Sequence, residues 1–341
     1  MSPSSSFRKP PAVRPGDTVA VVAPAGPFDR TSFETGLAVI SGRYAPRYDE
    51  RILSRHRYLA GDDERRFNEL AGALADPDIK AVFCARGGYG AMRLLPRLVQ
   101  WGRERASAAL PAGSGLGLTA AQIGRQLPAK PLIGFSDITA LHGWLQGNGL
   151  VSFHAPVLTQ LGRVSPPGIP SLAARSPATE NPRRLFSLLE SSAPASALVG
   201  TETYVEGTVD GPLLGGNLSV FTRLLGTPFM PPLEGGVLLL EDLSEQPYRL
   251  DRMWTHMELA GVFRQIKGIV LGQFLGCEPR GGGYTAAEVL RELAAATGLP
   301  CAAGFPIGHG DDVNEAVALG VRVRLDAGAR RLTFLEAAVE G

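Results

Sequence analysis

The sequence predicts a two-domain α/β protein, with a doubly wound N-terminal domain around a parallel sheet and a β-rich, mixed α/β C-terminal domain. Three observations predict it. Through the first half, apolar β-branched runs alternate with helix-period segments. A stretch dense in Pro and Ser then interrupts the chain, and beyond it strands dominate. At 341 residues, the chain also exceeds what one hydrophobic core usually fills.

The elements follow in order. At 18–25, TVAVVAPA is an unbroken apolar run stopped by Gly-Pro, the pattern of a strand buried on both faces. RTSFETGLAVISGRY has helical spacing. DDERRFNELAGALADPD is a cleaner helix, with an acidic first turn that suits the helix dipole and Phe67, Leu70 and Leu74 on one face. IKAVFCARGGYG reads as strand then glycine turn, AMRLLPRLVQWG as helix, PLIGFS as another buried strand and DITALHGWLQGNG as its helix. Residues 104–128, rich in Ala, Gly and Ser, read as an insertion or partly mobile loop with a short helix at TAAQIGRQL. The GSGLG inside it has no leading strand and no following Lys-Ser/Thr, so it is not a phosphate loop. Residues 163–184 are the expected linker, dividing an N-terminal domain at 1–162 from a C-terminal one at 185–341. GVLLLEDL, IKGIVLGQF, CAAGFPIGHG and VALGVRVRLDAGARRLTFLE are then strands, and YRLDRMWTHMELAG and TAAEVLRELAAATG helices.

Composition narrows the function. Lys+Arg 34 against Asp+Glu 33 leaves a net charge of +1, so nothing points to nucleic acid or a charged membrane surface. No apolar stretch approaches the roughly 20 residues of a membrane span, and the N-terminal stretch lacks the apolar region of a secretory signal. Cys84, Cys277 and Cys301 are scattered, which suits a reducing compartment. Neither a His-Glu-x-x-His pattern nor a His/Cys cluster suggests a metal, and no cofactor is expected. A cytoplasmic enzyme or binding protein is the expectation.

Three residues carry candidate chemistry. Ser136, in LIGFSDITALH, stands where a strand turns into a helix. Ser and Asp are good helix caps, but a serine at the C-terminal edge of a parallel sheet can also be a nucleophile, with the Asp137 amide behind it for an oxyanion. The pattern departs from G-x-S-x-G after the serine. In CARGGYG, Gly87 and Gly88 are either a tight turn or bare backbone donors for an oxyanion, and Arg86 could hold a carboxylate. Glu241 and Asp242 follow a buried strand in LLLEDL, a place where a carboxylate is usually solvated but can also serve a site. His309 stands between two glycines in PIGHGDD, where packing gives it little reason to be. His142, six residues after Ser136, is expected to point away from the sheet edge. A hydroxyl, an imidazole and a carboxylate at three strand ends are what a catalytic triad needs.

VAVVAPAGP, ARGGYGAMRLLP, IGFSDITALH, GPLLGGNLSVFTRLLGTP, LLLEDLSEQPYRLDRM, IKGIVLGQF and PIGHGDDVNEAVALG, in this order over roughly residues 15 to 328, resemble the LD-carboxypeptidase family, serine peptidases of the S66 type. The resemblance implies a Rossmann- or flavodoxin-like N-terminal domain carrying the nucleophile Ser136. The C-terminal domain would supply the base His309 and Glu241 to orient it. Gly88 and Asp137 would give the oxyanion amides, and homodimers are common in the family. Arg86, Gly87, Tyr89 and Asn217 are candidates for binding the substrate, with Arg86 as a clamp for its C-terminal carboxylate. The carboxypeptidase branch removes the terminal D-Ala of cytoplasmic muropeptide tetrapeptides. A related branch, the microcin C self-immunity proteins, hydrolyses aminoacyl adenylate analogues and has a longer insertion between serine and glutamate. The separation here, 241 − 136 = 105 residues, resembles the shorter spacing. After His309 the chain reads NEAVALG, without the proline found in many members. Two other readings stay open on the residues alone, a non-catalytic small-ligand sensor and, more distantly, a nucleotide-dependent enzyme.

Overall fold

The computed structural model describes residues 7–109, 119–161, 177–310 and 313–341. Its first sheet is built from β1 (Thr18–Val22), α1 (Arg30–Ser41), β2 (Ala45–Arg47), α2 (Asp63–Ala75), β3 (Ala81–Cys84), α3 (Leu95–Ala108), α4 (Ala120–Gln126), β4 (Leu132–Gly134), α5 (Thr139–Gly147) and β5 (Ser152–His154). Helix α2 starts where Asp62 accepts from the Arg65 amide, and α4 where Thr119 and Gln122 form a capping box, so side chains fill the amides left open at each first turn. The strands run parallel in the order β2-β1-β3-β4-β5, the flavodoxin-type arrangement. In this order the loops after β1 and β3 flank the crevice where such sheets bind ligands.

The second half contributes α6 (Pro177–Glu190), β6 (Leu198–Val199), β7 (Glu202–Val205), β8 (Thr208–Asn217), α7 (Leu218–Thr222), β9 (Val237–Leu243), α8 (Pro247–Leu259), β10 (Gly268–Leu275), α9 (Ala286–Thr297), β11 (Cys301–Ala303), β12 (Val317–Leu319), β13 (Arg322–Asp326) and β14 (Arg331–Phe334). Eight of these strands form the sheet β6-β14-β13-β8-β9-β10-β11-β7, parallel from β8 to β11 and antiparallel at both flanks.

Three sequence expectations change. Helix α6 occupies 177–184 of the expected linker, because Leu185, Leu188 and Leu189 bury one helical face; residues 163–176 lie outside the described residues. Helix α3 runs to Ala108, so the first residues of the expected insertion are its last turn, while GSGLG lies outside the described residues. Strand β12, expected in the C-terminal domain, crosses back and pairs antiparallel with β5, Val317 opposite His154 and Leu319 opposite Ser152. It thereby covers the open edge of the first sheet. One continuous core joins the halves: Val19, Phe83 and Phe153 pack in the same cluster as Leu239, Phe305 and Val317. Among the described residues no helix is long and apolar enough to cross a membrane.

Candidate active site

Ser136 stands two residues past the end of β4, in a short 3-10 turn that leads into α5. Its φ is +63°, the left-handed region that a non-glycine residue adopts only when its surroundings impose it. No side-chain cap bond forms at the start of the turn or of α5, so the serine is not there as a cap. A Cβ built on Gly87 would stand 3.0 Å from the Ser136 Cβ and 3.2 Å from its Oγ, so a side chain at 87 would press on the serine and force it to shift. The neighbouring Gly88 has φ +102° and is exposed.

Asp137 divides its roles. Its carboxylate is buried, which raises its pKa, and Oδ2 accepts the Ala91 amide at 2.8 Å, tying the end of the glycine loop to the serine turn.

The imidazole and carboxylate come from the second half, Glu241 from β9 and His309 from the loop after β11. Glu241, on β9, is wholly buried, and its Oε2 lies 2.6 Å from His309 Nδ1. The bond fixes the ring and leaves Nε2 as the nitrogen for a substrate or hydroxyl. Burial alone would lower the His309 pKa. The bond to Glu241, its charge and that of Asp242 outweigh burial and raise it. Gly308, at φ +119°, makes the approach possible, since a Cβ there would fall 2.7 Å from Glu241 Oε2. The Gly308 amide donates to Asn314 Oδ1 at 2.9 Å, which pins the loop. The His309 ring is 4.6 Å from that of Phe135, the residue preceding the serine. Glu241 and His309 are thus in direct contact, and the His309 ring packs on the residue that precedes Ser136.

The remaining candidates separate. Gly87 lies against Ser136, and Gly88 lies against Gly26 of the β1 loop. Arg86 is exposed, and its Nη1 donates to Pro27 O at 2.5 Å, while Tyr89 packs edge-on against Tyr58 at the rim. Asn217 lies beside Glu241: its Oδ1 caps α7 by accepting the Val220 amide at 3.1 Å, and its Nδ2 donates to Asp242 Oδ1 at 3.1 Å and to Glu241 O at 3.4 Å. Its own amide donates to Thr139 Oγ1 at 3.0 Å, linking the second sheet to the helix behind the serine. His142 does not point away from the sheet. It is buried, with Nε2 2.9 Å from Gly134 O, and burial lowers its pKa to about 4. The buried thiols of Cys84 and Cys301 are pushed up, Cys301 to about 12, which makes neither a nucleophile. Among the described residues no group of His, Cys, Asp and Glu side chains could hold a metal ion.

The sequence reading missed Arg66. It falls four residues before Leu70 and eight before Leu74, on the apolar face of α2, and it is fully buried. A cation at a core position of a helical period was the available signal.

The LD-carboxypeptidase N-terminal domain matches residues 19–155 and the LD-carboxypeptidase C-terminal domain residues 210–325. The murein tetrapeptide carboxypeptidase of Pseudomonas aeruginosa is 34% identical over 296 residues, covering 86% of this chain and 88% of that protein. The structure of the muramoyltetrapeptide carboxypeptidase from Oxalobacter formigenes superposes with a TM-score of 0.72 at 27% identity, over 93% of this chain and 97% of that one. The microcin C7 self-immunity protein MccF, wild type in its apo state, shares the fold with a TM-score of 0.76 at 19% identity, over 98% of this chain and 100% of that one. With both domain matches in chain order and a relative 34% identical along most of its length, this protein belongs to the LD-carboxypeptidase family.

Proposed function

We propose that this peptidase is a serine LD-carboxypeptidase, releasing the terminal D-Ala from a muropeptide tetrapeptide by cutting the bond to the L-centre of its diamino acid. The observation that carries the reading is the 2.6 Å bond between His309 and Glu241 beside a serine held at φ +63°. Ser136 Oγ attacks the scissile carbonyl while His309 Nε2 takes its proton, and Glu241 holds the ring and stabilises the imidazolium. The amides of Gly88 and Asp137 receive the oxyanion. His309 then protonates the departing D-Ala amine, and water, activated by the same base, resolves the acyl-enzyme. Arg86 stands on the rim of the β3 loop, where releasing its bond to Pro27 would free it for the substrate's terminal carboxylate. The reading includes a cytoplasmic homodimer, which light scattering of the purified protein and cell fractionation test.

The deciding assay incubates the protein with L-Ala-γ-D-Glu-diaminopimelate-D-Ala and follows free D-Ala. Release by wild type and none by Ser136→Ala is the expected result. Hydrolysis of an aminoacyl sulfamoyl adenosine with no D-Ala release would assign the immunity-type reaction instead. Peptide binding without turnover in either form would make the protein a sensor.

A further inference from the structure

The fully buried Arg66 is not explained by packing alone, because a desolvated guanidinium is costly unless its donors are filled. Burial lowers its pKa, and its bond to Asp63 opposes that. Nη1 donates to two carbonyls at once, those of Pro24 and of Gly90, the latter at 2.8 Å, and Nη2 donates to Asp63. Asp63 is itself held by Arg93, through Nε at 2.9 Å and Nη2 at 2.6 Å.

The two carbonyls belong to the loops that flank the crevice, one after β1 and one after β3. The same loops meet again where the Gly26 amide donates to Gly87 O at 3.0 Å. On the far side, the Ala91 amide is tied to Asp137 at 2.8 Å. Gly88 lies between these ties, and a glycine at φ +102° has wide freedom to rotate its peptide planes unless both ends are fixed. An oxyanion donor is effective only if it is aimed before charge develops.

We propose that Arg66 is a positioning residue for the oxyanion loop. Its guanidinium locks the β1 and β3 loops together, so that the Gly88 amide is aimed at the reacting carbonyl before substrate arrives. Arginine suits the place because one planar group reaches two carbonyls and a carboxylate, which a lysine ammonium does not do in a fixed plane. The inference rests on the serine-hydrolase reading.

The test compares wild type with Arg66→Met, Arg66→Lys and Asp63→Asn, with folding checked by circular dichroism and Tm. It measures kcat and KM on the tetrapeptide, affinity for the tripeptide product, and inhibition by a peptidyl phosphonate that forms a tetrahedral anion on Ser136. Arg66→Met is expected to lose about 10²-fold in kcat and a similar factor in phosphonate affinity, with KM and product affinity within about twofold of wild type. Arg66→Lys should recover part of the loss, and Asp63→Asn should show a smaller loss of the same kind. Unchanged kcat in folded Arg66→Met, or equal losses in kcat and product affinity, overturns the proposal. If the Arg66 variants do not fold, Asp63→Asn decides: a kcat loss without a KM change supports the clamp, and wild-type kcat overturns it. If wild-type protein releases no D-Ala, the functional reading fails by itself. Arg66 is then judged by the rate at which a fluorophosphonate labels Ser136, slower labelling in the variants supporting it and an equal rate overturning it.

Discussion

Ser136 stands two residues beyond β4, whereas His309 stands six residues beyond β11, and the two corners are fixed by different means. At the serine corner the holding is mostly backbone, φ +63° and a tightly adjoining glycine loop, with one side-chain tie from the Ala91 amide to the Asp137 carboxylate. At the histidine corner a side chain does it, through one 2.6 Å bond to a glutamate from another strand, with Gly308 and Asn314 shaping the loop. The serine is therefore set largely within one domain by local geometry, while the base depends on how β9 and the loop after β11 pack. Substitutions should separate the two.

The largest effect tests whether the corners form one machine. Ser136→Ala and His309→Ala should each lower kcat by about 10⁴–10⁶, and the double variant should lose little more. Additive losses in a steady-state assay would show that the two do not act together.

Glu241→Gln comes next, with about 10³–10⁴ lost in kcat. A general base must be neutral to act, and Glu241 helps raise the His309 pKa above the usual 6.5. Wild-type kcat/KM should therefore climb with pH through an apparent pKa above that value. The residual activity of Glu241→Gln should climb at lower pH. An acid limb that stays in place would mean that another group sets it.

A smaller contrast separates the glycines. Gly87→Ala places a methyl group 3.0 Å from the Ser136 Cβ and should cost about 10²-fold in kcat. Gly308→Ala should cost a similar factor and in addition lower Tm, because an L residue at φ +119° is strained. Equal Tm values would erase the distinction between a steric and a backbone requirement.

The smallest effect lies beneath the serine corner. His142 titrates at about 4 when folded against about 6.5 unfolded, so the unfolded chain binds more protons in that window, and stability falls as pH drops through it. The shift corresponds to about 3 kcal/mol by pH 4. Burial raises Asp242 to about 6 and Glu69 to about 7, and these groups work in the opposite sense over that range. The measurement is therefore a difference: in denaturant titrations, wild type should lose about 3 kcal/mol more than His142→Asn between pH 6.5 and 4. Parallel pH curves for the two proteins would remove His142 from the account.

Much of this site could be read along the chain. Strand-to-helix corners appear as apolar runs broken by Ser-Asp or Gly-Gly, and a histidine between glycines stood out because nothing packs on it locally. Arg66 and Asn217 show where such reading stops. The helical period puts Arg66 on the apolar face of α2, but not the carbonyls of Pro24 and Gly90 that fill its donors there. Asn217 caps the helix that directly follows it, but the Glu241 carbonyl and Asp242 carboxylate that its amide meets lie on another strand.

The amino-acid order by itself determined the alternation of strands and helices, the parallel first sheet and the three residues that could work as a triad, because side-chain period and turn chemistry act over a few neighbours. Tertiary structure decided which strands pair, sending VAL at 317–319 to the edge beside β5 instead of to its own half. It also decided that Glu241 reaches His309 and that a buried guanidinium spans two loops. Those outcomes depend on burying apolar surface and filling hydrogen bonds between segments far apart in the chain, and local sequence carries no record of which distant partner will be adjacent.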